Sequence, residues 1–112
     1  MYPNAARAYQ AQQVNGVSKV KQVALLYDRM IASLREAVQC IEDNKIEQRH
    51  FANKRAQEII LALYGALDTD VGGEVAVNLQ KLYIFALRRL PKVDVHNDPK
   101  PAAEVMEVLE PL

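Results

Sequence analysis

Apolar residues recur along this chain at spacings of three and four in four separate stretches, the signature of amphipathic helices. In the first, Val20, Val23, Tyr27, Met30, Ile31, Leu34, Val38 and Ile41 share one helical face, and Leu25 points off it. Ser18 is placed to cap this helix and Asp43-Asn44 to end it, since asparagine tolerates the left-handed conformation at a C-terminus. The spacing predicts a second helix over 47–67. Its inward residues are Ala52, Ala56, Ile59, Ile60, Leu63 and Leu67, with Leu61 pointing away and Tyr64 at the edge. Residues 68–73 read as a loop. The last helix opens at Asp98-Pro99, because proline fits a first turn whose donors have no partner. Ala102, Val105, Met106 and Leu109 then face inward, and Pro111 closes the helix. Short connections imply an all-α fold, an antiparallel up-down four-helix bundle. The first helix would be about 35 Å long. The fourth is much shorter, which leaves part of its groove open.

The third stretch, 74–90, carries more apolar surface than one buried face can use. Val75, Leu79, Leu82, Tyr83, Ala86 and Leu90 form one stripe. Val77, Ile84 and Leu87 fall nearly opposite, and Phe85 lies between the stripes beside Lys81 and Arg88. Gly72-Gly73 break the chain before it, Pro91 ends it, and residues 91–97 read as a connection. A bundle helix needs one stripe. The second calls for a further element, a second copy or a bound peptide. The preceding helix should be an antiparallel neighbour, so Leu61, Tyr64, Val77, Ile84 and Leu87 are predicted to form one partner-binding surface.

Residues 1–17 are small and polar, with Pro3 and Gly16 as breakers. They read as an extended segment ahead of a bundle domain over 18–112. Tyr2 and Tyr9 have nothing local to bury against, so Tyr9 is expected to dock in a bundle groove and joins the partner-binding residues.

The 112 residues are enough for one core. Fourteen bases balance fourteen acids, which argues against nucleic acid or an anionic membrane as the main partner. The densest basic run, Lys45, Arg49, His50, Lys54 and Arg55, is diluted by Glu47 and Glu58 and reads as a solvated face. Cys40 is the single cysteine, so no internal disulfide forms and a reduced compartment is expected. It reads as a small, partly buried apolar residue. No apolar run reaches the ~18 residues of a membrane span, and the N-terminus lacks a signal-peptide pattern. A cytoplasmic protein is expected.

Little here points to catalysis. His50 and His96 lie on different elements and Cys40 has no second thiol, so neither a metal nor any other cofactor is expected. Gly72-Gly73 lacks the lysine and spacing of a phosphate loop. His50 with Lys54 imitates a histidine phosphotransfer domain, but the glycine that clears space there is missing, and a solvated histidine is the simpler reading. Tyr27 and Tyr83 are expected to bury their rings and bring their hydroxyls to the edge.

Taken together, these residues resemble the flagellin export chaperones of the FliS type, over nearly the whole chain. The likeness rests on Met1-Tyr2 and Ala8-Tyr9, Leu25-Leu26-Tyr27-Asp28, Ala56-Gln57-Glu58-Ile59-Ile60 and Leu67-Asp68. It continues through Gly72-Gly73-Glu74, Asn78-Leu79, Leu82-Tyr83, Arg88-Arg89-Leu90 and Asn97-Asp98. Three positions depart from the family pattern. Ser18-Lys19 stands where Ser-Pro is usual, Arg29 replaces a glycine after Tyr-Asp, and the sequence reaches Leu112 without the further turns and tryptophan common in the family's last helix. The resemblance implies a four-helix bundle that holds the disordered C-terminal segment of flagellin, blocks premature assembly and helps deliver it to the flagellar export gate. It implies a non-enzyme, monomeric or weakly dimeric. The reading without the family is a homodimeric helical-bundle interaction or regulatory protein that uses the second stripe to pair.

Overall fold

The structure, a computed structural model, describes residues 15–112. The expectations for Tyr2 and Tyr9 lie outside the described residues. The chain forms α1 (Asn15–Glu42), α2 (Ile46–Gly65), α3 (Thr69–Arg89), α4 (Pro91–His96) and α5 (Lys100–Leu109). Helices α1, α2, α3 and α5 make the predicted bundle. Neighbours are α1–α2, α2–α3, α3–α5 and α5–α1, so α1 and α3 face each other across a diagonal. No strand occurs among the described residues.

α2 closes at Gly65, two residues before its predicted end, and four other boundaries differ from expectation, each for a local reason. Gly16 and Ser18 lie inside α1, so neither breaks nor caps it. α3 starts at Thr69 rather than after the glycines, because Asp68 caps it: its Oδ1 accepts from the amides of Asp70 (3.0 Å) and Val71 (3.2 Å). The expected break survives only as a kink at Gly73, whose φ is 55°. Pro91 closes α3 and opens α4, a short helix where the sequence suggested a plain connection. At a first helical position its fixed φ fits and its missing donor costs nothing. α5 begins at Lys100, two residues late, although Asp98 Oδ1 does accept from the Lys100 amide at 2.9 Å. Asn44 (φ 56°) and Asn97 (φ 49°) adopt the left-handed conformation that ends α1 and α4.

The core gathers Met30, Leu34, Ile60, Tyr83, Leu90, Val93, Val105 and Leu109. It occupies one end of the bundle, closed by α4, which contributes Val93. The other end is open. α5 has only ten residues, about 15 Å of helix, against twenty-eight in α1. The Arg35–Glu110 ion pair marks where α5 stops along α1. Beyond that level the described residues provide three helices, α1, α2 and α3. This explains why the inward stripes are not uniformly buried: Val20 is 70% exposed, Val75 69%, and Val23 is exposed too. Leu79 and Leu82 are half-buried. The periodicity is right, but among the described residues no neighbour covers these positions.

Candidate functional site

The seam between α2 and α3 holds five of the predicted partner-binding residues. Gln80 Nε2 donates to Tyr64 Oη at 3.4 Å, so these two positions face each other across the seam. Leu61 lies one turn before Tyr64, while Val77 and Ile84 lie one turn either side of Gln80 and Leu87 two turns beyond it. Leu61 and Val77 are exposed, the former at 59%. Tyr64, Ile84 and Leu87 are half-buried, and Tyr64 and Leu87 also touch the core. Of the five, Leu61 and Val77 are thus the exposed apolar positions. Ile84 opens on its far side into a second groove, with Phe85 and the basic residues Lys81, Arg88, Arg89 and Lys92.

The open end supplies a larger concavity. A groove of about 630 Å³ runs where α5 stops, floored by Val20, Val23, Tyr27 and Ile31 and edged by Leu109 and Leu112. Its residues were assigned to the core stripe by periodicity. Of these, Ile31 and Leu109 are buried and Val20 and Val23 are exposed, and the short fourth helix was the signal for the exposed pair.

At the foot of this groove the hydroxyls of Tyr27 and Tyr83 hydrogen-bond across the bundle diagonal. The Tyr83 ring is buried, as expected, but its hydroxyl is held inside rather than reaching water. Burial pushes the Tyr83 phenol well above its ordinary range, and the hydrogen bond and charge of Tyr27 add to this.

At the closed end, the basic run is not a uniform solvated face. Arg49 is only 7% exposed. Its Nε donates to Asp94 Oδ1 at 3.1 Å and its Nη1 to Asn97 Oδ1 at 2.6 Å, tying α2 to α4. Asn53 Nδ2 donates to the Leu90 carbonyl (2.9 Å) and to Asp94 Oδ2 (3.2 Å). His50 Nδ1 lies 3.2 Å from the same oxygen. These partners stand far away in sequence, which is why charge patterning missed them. His50 is thus one corner of a structural polar cluster. Lys45, Lys54 and Arg55 are exposed as expected. Cys40 is more buried than expected and is a free thiol.

Among the described residues no group of histidine, cysteine or carboxylate side chains could hold a metal. Nor is any described helix long and apolar enough to cross a membrane. What the surface offers is apolar grooves suited to an amphipathic or extended segment.

Comparisons with known proteins agree with one another. The family model described as "Flagellar protein FliS" matches residues 2–112. The flagellar secretion chaperone FliS of Campylobacter jejuni is 32% identical over 108 residues, covering 96% of this chain and 84% of the relative. Its namesake in Bacillus subtilis is 29% identical over 102 residues, covering 91% and 75%. The Salmonella typhimurium protein of that name is 32% identical over 88 residues, covering 78% and 65%.

Proposed function

The chain belongs to the FliS family of flagellar proteins, and from this we infer that it is a flagellar secretion chaperone, a binding protein rather than an enzyme. Its export substrate is flagellin, held by the disordered C-terminal segment in the cytoplasm and released at the flagellar export gate. The observation that supports this reading is that α2 and α3 pack side by side with Leu61 and Val77 exposed and Ile84 half-buried on them. A segment that is disordered when free must bury enough apolar surface to offset its ordering. An amphipathic helix laid along Leu61, Val77 and Ile84 does so, and the open groove at Val20, Val23 and Tyr27 takes a further piece.

The test is calorimetry with the flagellin C-terminal segment. Each aliphatic side chain fully buried on binding contributes roughly 1.5–3 kcal/mol, and about 1.4 kcal/mol is a factor of ten. Leu61→Asp with Ile84→Asp is therefore expected to lower affinity by orders of magnitude while the melting temperature falls little. Undiminished binding by the folded variant would move the groove elsewhere. If the stripes instead pair two copies of this chain, sedimentation will show a dimer that the same substitutions dissolve.

A further inference from the structure

The outer face of α3 carries a segregation of charge that the net balance of the chain conceals. From Val75 to Val93 there is no Asp or Glu, and Lys81, Arg88, Arg89 and Lys92 all fall within that run. The four line one shallow groove of about 300 Å³ whose remaining walls are Ile84 and Phe85. Arg89 is fixed: it pairs with Glu104 at 3.4 Å and its guanidinium stacks on Phe85, 5.3 Å from the ring centre. Lys81, Arg88 and Lys92 make no ion pair among the described residues and are exposed. Lys81 and Arg88 stand two helical turns apart, about 10 Å along the axis, and Lys92 continues the same line past the α3–α4 joint.

We propose that this strip is a docking surface for an acidic amphipathic helix of a protein partner. The complementary segment carries two carboxylates about two turns apart, one toward Lys81 and one toward Arg88 and Lys92. An apolar side chain between them lies on Ile84 and Phe85. Charge complementarity sets register and encounter rate, and the apolar floor supplies the burial. Nucleic acid fits less well, since three cations on a chain of zero net charge release few counterions and leave Ile84 and Phe85 unused. The strip shares Ile84 with the proposed flagellin site, but its four cations belong to it alone and Leu61 and Val77 lie outside it, so variants at these positions tell the two apart.

The probe is a synthetic helical peptide with glutamates two turns apart and leucine between them, read by fluorescence anisotropy on the full chain. Control peptides carry glutamine or lysine in place of the glutamates. The glutamate peptide is expected to bind, to weaken as salt rises, and to exceed the glutamine peptide at least tenfold; the lysine peptide is expected not to bind. Arg88→Glu with Lys92→Glu should cost tenfold or more with an unchanged melting curve, and Arg88→Gln with Lys92→Gln serves if the reversal disturbs folding. Leu61→Asp should weaken the flagellin segment and leave this peptide untouched. Equal binding of glutamate and glutamine peptides would overturn the proposal, as would indifference to the charge variants. Tighter binding of an oligonucleotide or an anionic vesicle, lost in the same variants, would assign the strip to phosphate instead.

Discussion

Arg49 and Arg55 belong to the same basic run on α2, yet they carry different energetic weight. Arg55 pairs with Glu36 at 3.0 Å with both side chains about half exposed, the kind of ion pair worth ~0–1 kcal/mol. Arg49 is buried against Asp94 and Asn97, and removing one partner of a buried pair leaves an unmatched charge. Arg49→Ala is expected to cost about 3 kcal/mol in urea unfolding, whereas Arg55→Ala stays below about 1 kcal/mol. Equal effects would mean that the α2–α4 tie carries no load. A second expectation concerns Tyr83. Its folded-state pKa is raised, so its contribution is complete below the ordinary phenol value and is lost as pH climbs above about 10. Wild-type melting temperature should therefore fall on that alkaline side more steeply than that of Tyr83→Phe; parallel curves would sink this account. Single residues of this kind were poorly legible in the sequence. Periodicity shows which face a side chain is on, but not the distant partner that buries Arg49 or traps the Tyr83 hydroxyl.

Among the elements, existence and face were legible, and ends were not. All four bundle helices follow their predicted stripes, because each stripe has enough turns to average out single exceptions. The ends depend on one capping residue each, and there Asp68 outcompeted the glycines as the start of α3 while Pro91 proved an opener as well as a stop. The glycines give a paired test. A Cβ built at Gly73 or Gly65 meets nothing within 4 Å, so space is no obstacle at either. Gly73, however, sits at φ 55° and ψ −133°, a region that side chains rarely tolerate. Gly73→Ala is expected to destabilise by ~1–3 kcal/mol, through backbone conformation alone. Gly65, in the last turn of α2 with an ordinary φ, should behave oppositely: Gly65→Ala is expected to gain ~0.5 kcal/mol by stiffening the unfolded chain. Thermal melts of both variants check this. Destabilisation by both would point to backbone approach at Gly65 rather than to φ.

At the scale of the molecule, the bundle is built as a closed end and an open end. Among the described residues, the closed end has four helices and the α4 plug around Leu34, Leu90, Val93 and Val105, and the open end has three helices over Val20, Val23 and Val75. The fold class was legible in the sequence, and so was the packing of α2 beside α3; the second stripe of α3 is only partly exposed, with Val77 out and Ile84 and Leu87 half-buried. The extent of the open end was not, since an inward stripe looks the same whether or not a neighbour arrives to cover it. Local stability should follow this division, because few buried contacts leave backbone hydrogen bonds free to open one segment at a time. Amide exchange is expected to be slowest in α1 beyond Met30, in α2 between Ala52 and Leu63, and in α3 from Tyr83 to Leu90. Earlier turns of α1, and α3 before Ala76, should exchange faster, through sub-global opening. Adding the flagellin C-terminal segment should then raise protection most at the seam and the open end, and little at the closed end. Uniformly slow exchange along all of α1 without ligand would contradict a partly uncovered bundle. If that slow exchange faded on dilution, the cover would be a second copy of the chain; if it did not, the cover would come from the chain itself.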